Sequence, residues 1–205
     1  MVFSLGFNGA YAEPVTIAAL GDSLTQGYGL STEQGFVPQL QNWLNDQGHE
    51  VVLINAGVSG DTTAGGLNRI DWTLTDDVDG LIVALGGNDL LRGIPPEASR
   101  ANLDAILKTA TDKGVAVLLV GLQGPGNFGP DYKEAFEGMY PDLAAEHNTL
   151  LFSDFLQGLN ERPDRAETLR KFMQSDGIHP NGDGVALIVE AMGPTVAELL
   201  ARAGS

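Results

Sequence analysis

The sequence predicts an α/β protein, a parallel sheet with helices packed on both of its faces. Two observations carry this. Short runs at residues 15–20, 51–55, 81–85, 115–120 and 149–152 are apolar at successive positions rather than alternating, as strands buried on both faces are. Between them lie segments whose apolar residues recur at helical spacing. Strand and helix alternating in this way build a parallel sheet, with crossovers expected to be right-handed.

The elements follow in order. After the first run, Phe36, Leu40, Trp43 and Leu44 form one stripe, which Gly48 ends as a C-terminal cap would. Leu103, Ile106, Leu107 and Ala110 form the next, opened by Pro95-Pro96 and closed by Gly114. Phe136, Met139, Tyr140 and Leu143 follow the fourth run, and Val185, Ile188, Val189, Met192 and Val196 make the last stripe. All are expected to pack on the sheet. Residues 158–175 are the least regular stretch, expected to form a helix or cover over one end of the sheet. No repeat, low-complexity tract or linker interrupts the chain, so residues 13–205 read as one domain.

Composition narrows the function. The chain has 205 residues, within the span of about 50 to 250 for one domain. Its formal charge of −16, from 27 acidic against 11 basic residues, opposes binding to nucleic acid or an anionic membrane surface. The one short basic cluster, Arg162, Arg165, Arg170 and Lys171, is interleaved with Glu161, Asp164 and Glu167 and reads as a solvated helix face. No apolar run reaches the roughly 20 residues of a membrane span. Cysteine is absent, which removes thiolate nucleophiles and cysteine-ligated metals. At the N-terminus a short apolar stretch precedes Ala10-Tyr11-Ala12, the small-x-small form of a signal-peptidase site, although no Lys or Arg occurs before Arg69. Residues 1–12 are therefore expected to be the remnant of an export signal, and the protein to be periplasmic or secreted.

In open α/β sheets ligands sit beyond the carboxyl ends of the strands. Four polar, Gly-rich segments fall there or close the rim: Gly21-Asp22-Ser23-Leu24, Asn55-Ala56-Gly57-Val58-Ser59-Gly60, Gly86-Gly87-Asn88-Asp89 and Asp176-Gly177-Ile178-His179-Pro180. A serine hydroxyl needs a base to become a nucleophile, and histidine is the usual one. Of the three histidines, His49 and His147 read as surface residues near helix C-termini, where a cation is mildly favoured. His179 stands in a turn with Asp176, so one segment can supply a base and the carboxylate that orients it. An isolated Asp-x-x-His reads equally well as a turn former. The Ser23 and Gly57 N–H groups and the Asn88 amide are candidate donors to the oxyanion of a tetrahedral intermediate.

Together these four blocks resemble the signatures of the SGNH (GDSL) hydrolase superfamily, over nearly the whole chain from about Thr16. Residues 21–30, 86–93 and 132–140 are most similar to its bacterial periplasmic thioesterase/lysophospholipase/arylesterase branch. The resemblance implies a flavodoxin-like three-layer α/β/α sandwich with a five-stranded sheet of order 2-1-3-4-5. It implies no cofactor and no metal, with Ser23 as nucleophile, His179 as base and Asp176 as its orienting partner. Ser23, Gly57 and Asn88 would form the oxyanion hole. Two departures stand out: Leu90 occupies a position where the branch commonly has glycine, and residues 158–175 are longer than usual.

The expected activity is hydrolysis of a small-molecule acyl ester or thioester through an acyl-Ser23 intermediate, by a monomer. The negative charge favours neutral or zwitterionic esters, lysophospholipids included, over acyl-CoA. Two alternatives use the same residues: a metal-dependent phosphoesterase with Asp22, Asp89, Asp176 and His179 as ligands, and a non-catalytic lipid- or sugar-binding protein on the same fold.

Overall fold

The structure, a computed structural model, describes residues 14–204. The expected export-signal remnant, residues 1–12, lies outside the described residues. Five parallel strands, β1 (Val15–Gly21), β2 (Val51–Gly57), β3 (Gly80–Ala84), β4 (Ala116–Val120) and β5 (Leu150–Phe152), form one sheet of order β2-β1-β3-β4-β5. β3 is buried at every position and β4 at all but its first, which is why both read as continuous apolar runs. β2 takes the edge position that the order 2-1-3-4-5 implies, but it is not buried on both faces as its apolar run suggests: Val52 and Ile54 are exposed there.

One face carries α2 (Phe36–Asp46) and α9 (Gly182–Ala203), and the other α3 (Thr63–Thr73), α5 (Pro96–Asp112) and α6 (Pro130–Glu146). Each predicted stripe is the buried face of its helix, apart from the half-buried Trp43. By length and composition alone α9 could cross a membrane, contrary to the sequence expectation. Here Ile188, Met192, Val196 and Leu199 are fully buried against the sheet and α2, each worth about 1.5–3 kcal/mol of apolar burial. The short α1 (Ser23–Gln26) and α4 (Gly87–Leu91) begin just beyond β1 and β3. The irregular stretch holds α7 (Gln157–Asn160) and α8 (Arg165–Phe172), both packed on α9.

From β1 the chain moves out to β2, then returns past β1 to β3, so the direction of winding reverses between β1 and β3. Ser23 follows β1 and Asn88 follows β3. Both therefore flank the crevice where open α/β sheets take their ligands.

Candidate active site

Asp22 and Ser23 leave the end of β1 in a sharp turn. Asp22 caps α1, its Oδ1 accepting from the Leu24 N–H at 3.0 Å. This sets Ser23 at the first position of the helix, where its own N–H has no acceptor among the described residues. The His179 turn comes from the far end of the chain and is clamped by its neighbours. Met173 and Pro180 form an antiparallel bridge, the Gln174 N–H donates to the His179 carbonyl at 2.8 Å, and the Asn181 N–H to that of Phe172 at 2.9 Å. Asn181 also caps α9.

Within this frame Asp176 Oδ2 lies 2.6 Å from His179 Nδ1, and His179 Nε2 lies 2.9 Å from Ser23 Oγ. Asp176 Oδ1 accepts from the backbone N–H groups of Ile178 and His179. The His179 backbone and ring donors, then the Ile178 N–H, hold the Asp176 carboxyl at about 2, so it stays ionised. An ionised Asp176 accepts the Nδ1 proton, which leaves the Nε2 lone pair facing the serine hydroxyl. Ser23, His179 and Asp176 thus meet as expected, across 156 residues of chain between the first two.

The glycine following β2 is placed differently. The Gly57 N–H donates to Asn55 Oδ1 at 3.0 Å, and a Cβ on Gly57 would stand 2.3 Å from the Gln26 nitrogen. Gly57 is small because α1 lies against it. Three residues on, Gly60 takes a left-handed backbone with φ 82° and lines the same cavity as Ser23 and Asn88. Its N–H has no acceptor among the described residues. Beyond β3, Gly86 turns with φ 119°, and a Cβ there would lie 2.2 Å from the Tyr140 hydroxyl, itself bonded to the Leu85 carbonyl. This turn presents Asn88, whose Nδ2 donates to Asp22 Oδ2 at 3.4 Å.

Residues 19–187 match the GDSL-like Lipase/Acylhydrolase family. Esterase TesA of Pseudomonas aeruginosa is 40% identical over 186 residues, covering 90% of this chain and 89% of that protein. Thioesterase 1/protease 1/lysophospholipase L1 of Escherichia coli K12 is 36% identical over 190 residues, 92% of this chain and 85% of that one. A crystal structure of TesA superposes with a TM-score of 0.81 at 39% identity, covering 90% of this chain and 99% of its own. The chain belongs to the GDSL-like lipase/acylhydrolase family.

In this acylhydrolase the serine opens onto a cavity of about 330 Å³. Leu24, Leu90, Leu91, Leu122 and Leu156 give it an apolar wall, with Asn88 and His179 as polar groups at the reacting end. Leu90, one of the departures noted in the sequence, is part of that wall. Asp22 is buried beneath it. Burial lifts its carboxyl from 3.8 to about 6, against the opposing pull of the Leu24 N–H, His179 and the Asn88 amide.

Three residues that sequence reasoning passed over hold the site together. The Tyr28 ring lies against His179, with centroids 4.8 Å apart. Gln174 Nε2 donates to the carbonyls of Tyr28 and Pro180, tying the loop after α1 to the histidine turn. Arg69 reaches from α3 to the carbonyls of Gly21 and Ala56 and to Asp61, fixing the ends of β1 and β2. No sequence pattern marks the first two; Arg69 could have been suspected as an isolated cation in a helix beneath the rim. His147 follows α6 as its C-terminal cap, where the sequence places it, but its side chain is mostly covered and bridges to α5 through Asp104 at 2.7 Å.

The ligand set of a metal phosphoesterase does not assemble. Asp89 is buried, and its oxygens accept from the Thr63 N–H, the Thr63 hydroxyl and the Ser99 hydroxyl. Among the described residues no three His, Asp or Glu groups converge in a way that could hold an ion.

Proposed function

We propose that this acylhydrolase cleaves acyl esters or thioesters of small molecules through a covalent acyl-Ser23 intermediate. The observation that carries the reading is the unbroken line Asp176 Oδ2–His179–Ser23 Oγ, at 2.6 and 2.9 Å. His179 takes the serine proton as Ser23 Oγ attacks the acyl carbon, then returns it to the departing alkoxide or thiolate. Water, deprotonated by the same imidazole, releases the acid. The oxyanion is received by the N–H groups of Ser23 and Gly60 and by the Asn88 amide. Gly60 replaces Gly57 in this role, because the Gly57 N–H already has an acceptor in Asn55.

The names of the relatives, esterase and thioesterase 1/lysophospholipase L1, support carboxylic and thiol esters as substrates. We further propose that residues 13–205 act as one domain and as a monomer, in the periplasm or outside the cell; the Ala10-Tyr11-Ala12 segment supports export. The test is hydrolysis of p-nitrophenyl butyrate by wild type and Ser23→Ala with a chelator present. Turnover by wild type alone is expected. Equal turnover by both proteins would overturn the mechanism, and abolition of wild-type turnover by the chelator would favour a metal enzyme.

A further inference from the structure

A second cavity, of about 490 Å³, lies beside the catalytic one, between the loop after β4, α7 and α8, and the turn that carries His179. Gln123, Leu156 and Ile178 line both cavities, so the two share a wall, and Ile178 immediately precedes the catalytic imidazole. The linings differ in kind. The catalytic cavity is walled by leucines, whereas Arg162 and Arg165 enter the second. No Asp or Glu lines the second cavity, in a chain that carries 27 of them. Neither arginine has a carboxylate within 4.0 Å among the described residues. Arg162 is half-buried, and its guanidinium carbon lies 4.6 Å from the Phe172 ring centroid, a contact that leaves its N–H donors for a ligand. The basic cluster therefore divides. Lys171 pairs with Glu167 on the solvated face, as the sequence suggests, whereas Arg162 and Arg165 face the cavity.

The direction of the reaction says which part of a substrate this cavity meets. His179 must hand its proton to the departing atom, so the leaving group departs on the imidazole side. The apolar cavity lined by Leu24, Leu90, Leu91 and Leu122 suits the acyl chain. We propose that the second cavity is a leaving-group subsite for a phosphate-bearing alcohol or thiol, with Arg162 and Arg165 as its specificity-determining residues. This rests on the acyl-Ser23 reading and extends it. Planar guanidinium donors match phosphate oxygens in pairs. Two cations at contact range also offset the repulsion of the distant acidic surface, which salt screens beyond about 8–10 Å. Such a phosphate comes either from a glycerophosphate headgroup or from a phosphorylated carrier thiol.

The test compares substrates with one acyl chain. Wild type, Arg165→Gln and Arg162→Gln/Arg165→Gln are assayed on 1-decanoylglycerol 3-phosphate against 1-decanoylglycerol, and on decanoyl-CoA against decanoyl-N-acetylcysteamine. The double variant should lose about tenfold or more in kcat/KM on a phosphorylated substrate, as for loss of a charge-assisted hydrogen bond, and less than about twofold on its neutral partner. Loss confined to the glycerol pair assigns the headgroup; loss confined to the CoA pair assigns the carrier thiol. Equal loss on charged and neutral substrates, or none on either, overturns the proposal. Arg165 is exposed, so Arg165→Gln should fold as wild type does and lose part of the same selectivity. Arg162→Lys should keep the charge but lose the paired donors, giving a partial effect. Calorimetric titration of glycerol 3-phosphate and CoA into Ser23→Ala reads the subsite without catalysis. Arginine-dependent binding of either by a protein that cleaves no ester would retain the subsite and reject the hydrolase reading. Cleavage of neutral esters with binding of neither would do the reverse.

Discussion

The Tyr28 ring lies tilted at 40° against the His179 imidazole, 4.8 Å between centroids, and its backbone carbonyl is tied through Gln174 to the same turn. Tyr28 is half-exposed, so this contact contributes little to the core. Its effect should fall on the imidazolium formed as Ser23 attacks, because a positive ring is attracted to an aromatic face. At an exposed site that attraction is worth about 0.5–1 kcal/mol. Tyr28→Leu should therefore lower kcat about two- to fivefold with an unchanged melting temperature, and Tyr28→Phe should remain near wild type. A Leu variant as active as the Phe variant would show the ring contact to be catalytically idle.

Asp176→Asn tests the orienting role. The backbone N–H groups of Ile178 and His179 would keep a carbonyl acceptor at Oδ1, so the turn should hold. The amide NH2 would then face Nδ1 and favour the tautomer with its proton on Nε2, which cannot accept from Ser23. In an unrelated triad the equivalent exchange costs about 10⁴ in kcat, and a loss of about 10³–10⁴ is expected here. The Asp176 carboxyl, held at about 2, is depressed from 3.8. Its support of the fold is thus complete above about pH 4 and is lost only as pH falls toward 2. Any activity lost on acidification above about pH 4 should therefore not be accompanied by unfolding that originates in this carboxyl. Circular dichroism and rate, followed together from pH 7 to 3, separate the two.

Asp22 acts with the opposite sign. Burial raises its carboxyl from 3.8 to about 6, so between those values the native state holds a proton that the unfolded chain has released. Stability from this group therefore falls as pH rises from about 4 to 6, then levels. The total is on the order of 3 kcal/mol. Asp22→Asn can still accept from the Leu24 N–H and carries no charge to desolvate. The variant should gain on wild type between pH 4 and pH 8 in urea midpoint, by an amount of that order. A gap that is the same at both pH values would reject the buried, late-ionising carboxyl.

The parts legible in the sequence are those that local pattern decides. β3 and β4 are apolar at each position because both faces are covered, and Asp176 and His179 read as a pair because one turn holds them. β2 carries the same kind of apolar run, and composition alone does not distinguish an edge from a centre; its edge place follows from the order that the family resemblance implies. α3 has no clear stripe because Gly65 and Gly66 occupy its first turns; a Cβ on Gly66 would stand 2.2 Å from Leu85. The choice between Gly57 and Gly60 depends on where α1 lies against β2, a tertiary fact. The same holds for Arg162 and Arg165, whose direction is set by how α7 and α8 pack on α9. Charge interleaving along the chain says nothing of that.

Asp89 separates a structural aspartate from a reactive one. It stands in the Gly86-Gly87-Asn88-Asp89 block beside a candidate oxyanion donor, and as a metal ligand its loss would abolish activity while sparing the fold. The geometry argues the reverse. Its oxygens join the start of α3 to α5, accepting from Thr63 and Ser99, while Asn102 donates to the Thr63 hydroxyl at 3.0 Å. Asp89→Ala would leave these donors buried without an acceptor and should cost about 3 kcal/mol or more. Asp89→Asn keeps an acceptor and should cost less. Activity per folded molecule should stay within a few-fold of wild type in both, with or without a chelator. Urea denaturation paired with active-site titration by a serine-directed phosphonate gives both quantities from one sample. A fully folded Asp89→Ala protein with no turnover would return Asp89 to the reacting groups.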